Sequence, residues 1–332
     1  SVYDKTERVA ALCETLAPFS SADASLARRA AELSKSDLVT DMVGEFADLQ
    51  GTMGRDYALN DGEDAAVAEA LFEQYLPRFA GDAVPSNAVG TTLALADRLD
   101  SLVGIFSIGQ QPSGSRDPFA LRRASLGVLR IMVEKKVDMD LNIAIAAAAK
   151  PFSNGGDELC KQVFTYVIDR FKSWYRDENV DPEVFSSVAA LGLSNPLDIN
   201  ARVQAVHQFT LLPEAAALAA ANKRVSNILA KQLGDKAPKR VSADLLQDAA
   251  EITLATEIDA LAKLVAPLLE QRDYNAVLQK LAMLRGPVDQ FFDDVMVMAE
   301  DQAVRENRLA LLHSLRKLFI GVADISQLVP AK

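Results

Sequence analysis

The sequence predicts an all-α protein, and three observations lead to that prediction. Alanine and leucine, which favour helices, dominate the long segments, and glycine occurs only 16 times in 332 residues. No run of residues alternates between apolar and polar side chains as a half-buried strand would. The breaks between segments carry prolines and capping residues of the kind that open helices.

Helical periodicity runs along most of the chain. It predicts a first group of helices at about 5–16, 22–34, 36–49, 63–77, 87–107, 118–135 and 158–176. A second group follows at about 183–191, 198–206, 213–233, 243–269, 274–283, 287–298 and 302–320. Prolines and caps place three of the starts, at Pro85-Ser86-Asn87, Asp117-Pro118 and Asp181-Pro182. Turn formers interrupt the pattern clearly at 109–117 (GQQPSGSRD) and more weakly at 234–242.

Composition and charge narrow the class of protein. The net charge is −11, and most of it lies in residues 1–100, which hold 18 acidic and 8 basic residues. That balance argues against indiscriminate binding of nucleic acid, so we expect no DNA partner. No stretch approaches the ~18 consecutive apolar residues of a membrane helix, and Ser1–Ala30 contains no signal-peptide h-region. The two cysteines do not make a disulfide framework, and we expect a cytoplasmic protein with no membrane partner.

A row of carboxylates is the first candidate for chemistry. Asp37, Asp41 and Glu45 are four residues apart, with Asp48 beyond them, so one helix would stack them on one face. A catalytic metal in such a site also needs imidazole ligands, and the chain's two histidines lie far from this row. We therefore interpret the row as a solvated face and expect no metal-binding residue.

The remaining catalytic candidates are weaker still. Asp97 and Asp100 form a second acidic pair without a histidine, and neither Cys13 nor Cys160 has a histidine beside it. The chain contains no Gly-x-Ser-x-Gly elbow, and no Lys-Ser/Thr follows the spaced glycines Gly109 and Gly114 as a phosphate-binding loop would require. We expect no catalytic residue in this chain.

Two basic stretches are better candidates for a binding surface. Residues 222–240 hold six Lys/Arg against one Asp, and residues 305–317 hold four against one Glu. Lys and Arg neutralise phosphates, and Asn hydrogen-bonds unstacked bases, as in recognition of RNA loops. The alternative is an ordinary solvated face, which charged helix faces usually are. The residues predicted to face outward on these two helices are Lys223, Arg224, Asn227 and Lys231, then Arg305, Arg308, Arg316 and Lys317. The residues predicted to bury are Leu218, Ala221, Val225, Ile228 and Leu229, then Val304, Leu309, Leu312, Leu315 and Phe319.

A third basic cluster lies in SRDPFALRRASLGVLRI. Its members are Arg116, Arg122, Arg123 and Arg130. Packing against an acidic neighbour is at least as good an interpretation of this cluster as contact with RNA.

Long blocks of the sequence together resemble one family. They are LSKSDLVTDMVGEFADLQGTMGRDYA, QYLPRFAGDAVPSN, LADRLDSLVGIFSIGQQPSGSRDPFALRRASLGVLRI, AAALAAANKRVSNILAK and FFDDVMVMAEDQAVRENRLALLHSLRKLF followed by VADIS. These blocks span nearly the whole chain and resemble the β subunit of bacterial heterotetrameric glycyl-tRNA synthetase. The resemblance implies the C-terminal half of such a subunit, which fits a sequence that begins at Ser1 without a methionine.

The resemblance also implies an organisation and a set of partners. Residues 1–116 would form an HD-like helical domain that has lost its metal site, and 117–197 a helical linker or body region. Residues 198–332 would form a DALR-type helical bundle that binds the anticodon, with ANKRVSNIL and FFDDVMVMAEDQAVRENRLALL as its recognisable pieces. The implied partners are glycine tRNA, the α subunit and the N-terminal half of the β subunit. Glycine activation with ATP and Mg would occur on the α subunit, so this chain would carry no cofactor and no aminoacylation active site.

By this resemblance, the anticodon arm of the tRNA would meet the basic residues of the last helices. The implied set is Lys223, Arg224, Asn227, Lys231, Arg305, Arg308, Arg316 and Lys317. Two other functions stay open at the level of sequence, an HD-type metal phosphohydrolase and a helical protein-interaction scaffold without a role in RNA binding.

Overall fold

A computed structural model describes residues 1–234 and 238–329 of the protein. Within these ranges the chain is helical, with short 3₁₀ turns and no β-strand, which confirms the predicted all-α class. Residues 235–237, which belong to the basic stretch and to the predicted break at 234–242, lie outside the described residues, as do residues 330–332. None of the helices in the described ranges is both long and apolar enough to cross a membrane.

The helices follow one another through two compact units. Those that begin within residues 1–174 are α1 (Val2–Leu16), α2 (Ala24–Leu33), α3 (Asp41–Glu45), α4 (Thr52–Asn60), α5 (Ala65–Glu73), α6 (Ala88–Ser107), α7 (Leu121–Glu134), α8 (Leu141–Ala149), α9 (Asp157–Ile168) and α10 (Phe171–Asp177). The others are α11 (Pro182–Ala189), α12 (Pro196–Thr210), α13 (Ala215–Leu233), α14 (Ala249–Glu270), α15 (Tyr274–Leu281), α16 (Arg285–Asp294) and α17 (Gln302–Ile320). The first unit comprises residues 1–174 and 194–197, and the second comprises 175–193 and the chain from Asp198 onwards. The domain boundaries at 116/117 and 197/198 stay predictions.

Helix α6 is the centre of the first unit. Its apolar residues are distributed around the whole helix, and Leu93, Leu99 and Leu102 have no exposed surface. A helix that is apolar on all sides is stable only when other helices surround it. Helices α1, α2, α5, α7, α8 and α9 all pack against α6.

Capping residues set several helix starts as the sequence predicted. The Asn87 side chain accepts a hydrogen bond from the Gly90 amide, at 2.8 Å, and opens α6. Asp181 is the N-cap residue of α11, with Pro182 in the first turn. The start predicted at Asp117-Pro118 lies later, because the Asp117 carboxylate accepts bonds from the amides of Leu121 and Arg122, where α7 begins.

The second unit is built around α14 and α17. Helix α14 packs against α15, α16 and α17, and α13 packs against α16 and α17. Leu254, Leu312 and Leu315 are fully buried in this core. In α17, the predicted buried residues Val304, Leu309, Leu312, Leu315 and Phe319 are confirmed.

Several predicted elements are wrong in detail. The helix predicted at 36–49 is instead two 3₁₀ turns flanking the five-residue α3. Thr40 is extended and its hydroxyl accepts a bond from the Val43 amide, so it caps a new helix instead of continuing an old one. Helices α4 and α8 were not predicted, and α9 and α10 were predicted as one helix. The helix predicted to end at residue 298 is α16, which ends at Asp294.

Candidate nucleic-acid interface

Helix α13 presents a polar face on one side of the second unit. Arg224, Asn227 and Lys231 are exposed and Lys223 is half-buried. Leu218, Val225 and Leu229 are buried on the opposite side as predicted, whereas Ala221 and Ile228 are half-buried. The three- and four-residue spacing of the polar side chains keeps them on neighbouring positions of one helical surface. We call Lys223, Arg224, Asn227 and Lys231 the α13 face.

Arg224 is oriented by an aromatic ring of α16. Its guanidinium carbon lies 4.2 Å from the centroid of the half-buried Phe292 ring. The guanidinium has no hydrogen bond or ion pair with any described residue. A cation held over an aromatic face loses less freedom when it binds an anion, and its N–H groups stay available to the solvent.

The four predicted residues of α17 have a different arrangement. Lys317 is exposed, but Arg305 is half-buried and donates from Nη1 to the Ala299 carbonyl at 2.9 Å. Arg316 is also half-buried, with Nη2 donating to an Asp324 carboxylate oxygen at 2.6 Å. The structure thus keeps the α13 face together and gives Arg305 and Arg316 partners within the protein.

The predicted exposure of Arg308 is wrong. Its side chain is only 7% exposed, and each of its three nitrogens donates to a different partner in the unit. Nε pairs with the Glu251 carboxylate, Nη2 with the Asp248 carboxylate at 2.8 Å, and Nη1 with the Met296 carbonyl at 2.8 Å. Asp248 and Glu251 form the capping box of α14, so Arg308 joins the start of α14 to α17. Buried and solvent-exposed arginines occur at the same helical positions, so the periodicity of the sequence did not distinguish a buried Arg308 from an exposed one.

Glu251 is the acidic partner in this arrangement. Its side chain is fully buried and also accepts bonds from the amides of Gln247 and Asp248, at 2.7 and 3.0 Å. Burial raises the pKa of this carboxyl, but the hydrogen bonds from Arg308 and from the two amides outweigh that effect and lower the pKa overall. The Glu251 carboxylate is therefore charged, and its oxygens accept hydrogen bonds from Arg308 and from the two amides.

The segment 295–301 between α16 and α17 contains exposed apolar residues that were not predicted as part of a binding surface. Val295 is extended, and along this segment Val295 and Val297 are buried while Met296 and Met298 are 75% and 43% exposed. The alternation of Val and Met in VMVM is the period of an extended chain, and that signal was present in the sequence. Exposed methionine side chains are adaptable contact surfaces.

The carboxylate row of the first unit does not exist as a row. Asp37 is buried and accepts the Gly51 amide at 2.7 Å, whereas Asp41, Glu45 and Asp48 are exposed on the separate short elements that replace the predicted helix. Among the described residues, no group of three or more His, Cys, Asp or Glu side chains is arranged to hold a metal ion.

Lysine and arginine side chains form ion pairs with the second acidic pair, Asp97 and Asp100. The Asp97 carboxylate lies 3.2 Å from the Lys5 ammonium and 3.3 Å from that of Lys35, and Asp100 pairs with Lys5 and Arg8. Burial raises the pKa of Asp97, and the two ammonium groups more than reverse this, so the pKa lies well below its usual range. Burial in turn lowers the pKa of Lys35, against the opposing effect of Asp97. The charges in this region are balanced by side chains of the protein itself.

Comparison with known families bears directly on these surfaces. The family described as glycyl-tRNA synthetase beta subunit matches residues 1–190, more than half of the chain. The chain belongs to the glycyl-tRNA synthetase β subunit family. A second family, the DALR anticodon binding domain, matches residues 218–324 of this β-subunit chain. That range contains the whole α13 face, the segment 295–301 and all four predicted residues of α17.

Curated relatives extend the similarity over the full chain. It is 55% identical over 332 residues to the glycine–tRNA ligase β subunit of Marinobacter nauticus, covering 100% of this chain and 48% of the relative. It is 54% identical over 330 residues to the corresponding subunit of Chromohalobacter salexigens, covering 99% and 48%. The subunit of Pseudomonas fluorescens is 52% identical over 330 residues, with the same coverage. The chain thus spans about half the length of the curated relatives that it matches.

Proposed function

We propose that this β-subunit chain binds the anticodon arm of glycine tRNA with the α13 face. The observation that supports this most directly is the position of Lys223, Arg224, Asn227 and Lys231, on one accessible face inside the region that matches an anticodon-binding domain. Three cations supply attraction to phosphates, and the amide of Asn227 supplies a donor and an acceptor for a base edge.

The segment after α16 complements these polar groups. Anticodon bases are unstacked in a loop, and proteins bind such bases by stacking on aromatic rings or arginine planes. Arg224 held over Phe292 offers a guanidinium plane, and the exposed Met296 and Met298 offer apolar contact. We propose that bases contact this group while Lys223 and Lys231 contact the backbone.

The residues of α17 divide between two roles in this proposal. Lys317 contacts a phosphate directly, and Arg305 and Arg316 add positive potential beside their internal partners. Arg308 acts by position only, because its contacts with Glu251 and the Met296 carbonyl connect α17 to α14 and to the methionine segment. The chemistry of recognition therefore rests mainly on α13.

The proposed role in the whole enzyme is positioning. With the N-terminal half of the β subunit and the α subunit, the chain would hold glycine tRNA while the α subunit, using ATP and Mg, attaches glycine to the 3′ end. Holding the reacting end in a near-attack geometry lowers the entropic part of the barrier. This chain would supply no catalytic group and no cofactor, and the enzyme would act in the cytoplasm.

For the first unit we propose an HD-like helical scaffold, over residues 1–116, that does not bind a catalytic metal. The pairing of Asp97 with Lys5 and Lys35 supports this, since ammonium groups occupy the surroundings of a carboxylate that a metal would otherwise need. The same observation weighs against an HD-type phosphohydrolase.

The experiment is a titration of the chain with glycine tRNA at two salt concentrations, with a Lys223→Glu/Lys231→Glu variant. We expect the variant to bind about tenfold or more weakly, and to lose roughly one unit of salt slope for each phosphate that it no longer neutralises. Lys263→Glu/Lys280→Glu, at exposed positions of α14 and α15, makes the same change in net charge and is the matched control. Equal affinities for wild type, double variant and control would contradict the proposal.

A further inference from the structure

A groove in the first unit is lined by four arginines and, among the described residues, by no acidic side chain. Arg122, Arg123 and Arg130 come from α7, and Arg170 comes from the segment between α9 and α10. The cavity measures about 360 Å³. We call it the arginine groove. Three of its arginines belong to the basic cluster whose role the sequence left open between internal packing and contact with RNA.

The internal partners of these arginines do not use all of their donors. Arg130 donates from Nε to Glu134 and from Nη2 to the Asp82 carbonyl, but its Nη1 is buried with no partner among the described residues. Arg170 donates from Nη2 to Asp169, and its buried Nε likewise has no partner there. A buried charged donor without an acceptor is costly, so the internal contacts leave part of the donor capacity of both arginines unused.

Arg123 is the most accessible of the four. It is exposed, and it makes no side-chain hydrogen bond or ion pair with any described residue. It also lines a neighbouring cavity of about 430 Å³, where Arg98 is buried and donates to the carbonyls of Gln74 and Pro77. Burial lowers the pKa of Arg98 to about 10; Asp97 opposes that shift and the nearby charge of Arg123 adds to it. Arg123 itself forms no ion pair with a described residue, although the carboxylates of Asp48 and Asp97 also line that cavity.

An aromatic ring stands beside these cations. Phe79 lines the arginine groove and is 62% exposed, so its ring is accessible from the solvent. Guanidinium groups bind phosphate in a bidentate fashion, and an adjacent aromatic face stacks an unpaired base. Internal packing, the other interpretation of the cluster, accounts for the Arg130–Glu134 pair but gives Arg123 no hydrogen bond or ion pair among the described residues.

We propose that the arginine groove is a second RNA site of this chain, which binds backbone phosphates of the tRNA and stacks one unpaired nucleotide on Phe79. The site is separate from the α13 face and belongs to the other compact unit. The proposal rests on the proposed function for the identity of the RNA, but its residues and its test are independent of the anticodon. It also predicts that the acidic first unit contributes to affinity in spite of its net negative charge, because the arginines are concentrated in one groove.

The test compares two RNAs, intact glycine tRNA and its isolated anticodon stem–loop, against three variants of the chain. Arg123→Glu removes the most accessible guanidinium without removing an internal contact, Arg123→Lys restores the charge, and Lys150→Glu makes the same charge change at an exposed site at the end of α8. We expect Arg123→Glu to weaken binding of intact tRNA about tenfold and leave binding of the stem–loop unchanged. Arg123→Lys should recover most of the loss, and Lys150→Glu should match the wild type.

The outcomes separate this inference from the proposed function. If Arg123→Glu binds intact tRNA as the wild type does, or no worse than Lys150→Glu, the arginine groove is not an RNA site. Equal weakening of the stem–loop and the intact tRNA would also overturn the proposal, since the effect would then be general charge repulsion. If Arg123→Glu weakens intact tRNA while Lys223→Glu/Lys231→Glu has no effect on either RNA, the groove stands and the anticodon proposal fails. Phe79→Ala tests the stacking contact, with a loss of intact-tRNA affinity and an unchanged salt slope as the expected result.

Discussion

The guanidinium of Arg308 on α17 pairs with the fully buried carboxylate of Glu251 on α14. The pair connects the last long helix of the second unit to the capping box that starts α14, and a third bond reaches the Met296 carbonyl in the segment before α17. A contact of this kind holds the loop that we propose to touch the anticodon, without itself meeting the RNA.

Removal of this guanidinium is expected to destabilise the protein strongly. Arg308→Ala leaves Glu251 charged, buried and without its cation, a change that typically reduces the free energy of unfolding by about 3–5 kcal/mol. Arg305→Ala is the matched control one turn away, because it removes a single bond to the Ala299 carbonyl and is expected to lose only about 1 kcal/mol. Urea denaturation of the two variants measures the difference. Equal, small losses would contradict the structural role of Arg308.

The same pair predicts a specific dependence of stability on pH. The pKa of Glu251 is lowered in the folded protein from its ordinary value of 4.5. Its contribution to stability is therefore complete above that value, and is lost as the pH falls through the folded pKa. We expect Glu251→Gln to be less stable than the wild type at neutral pH and to show a smaller loss between pH 4.5 and lower pH, measured by denaturant titrations at each pH. An unchanged pH profile in the variant would show that Glu251 does not titrate with folding.

How much the sequence predicted depends on the kind of feature. Caps such as Asn87 and Asp181 are local signals, and both helix starts were predicted correctly. The helix expected at 36–49 failed because carboxylates four residues apart look alike whether or not Thr40 starts a new helix between them. Arg308 was misjudged for a related reason. Its burial depends on Glu251, 57 residues away in the chain, and periodicity carries no information about such a partner.

In the candidate interface, too, local features were predicted and contacts between distant parts of the chain were not. The α13 face follows from the helical spacing of one continuous segment, so the accessible residues Arg224, Asn227 and Lys231 were placed correctly. The support of Arg224 by Phe292 was not predictable, because it depends on the packing of α16 against α13. The arginine groove likewise brings Arg170 beside three arginines of α7 across a long stretch of chain.

The ion-paired carboxylate of the first unit gives a further prediction. Asp97→Asn leaves the ammonium groups of Lys5 and Lys35 without their shared counter-charge, and we expect a loss of about 3 kcal/mol in the free energy of unfolding. Adding Lys35→Met to that variant should recover part of the loss, since the unpaired charge is then replaced by an apolar side chain of similar length. Urea denaturation of the single and double variants measures both effects, and a double variant less stable than Asp97→Asn would contradict the pairing.

A chelator distinguishes these ion pairs from a metal site at the same carboxylate. We expect EDTA to leave the melting temperature of the wild-type protein unchanged, because side chains of the protein neutralise Asp97. Thermal melts with and without EDTA, and with added Mn²⁺ or Zn²⁺, provide the measurement. A melting temperature that falls with EDTA and rises with one of these ions would identify a metal centre and overturn the scaffold interpretation of this unit.

Anticodon recognition is tested most directly by the affinity of the wild-type chain for glycine tRNA beside the same tRNA with its anticodon bases changed. We expect tighter binding of the native anticodon, by about 1–3 kcal/mol for each base that the protein reads, at both low and high salt. The Lys223→Glu/Lys231→Glu variant should bind both tRNAs more weakly and keep the preference, since phosphate contacts do not specify bases. Equal affinities of the wild-type chain for the two tRNAs would contradict anticodon recognition by the second unit.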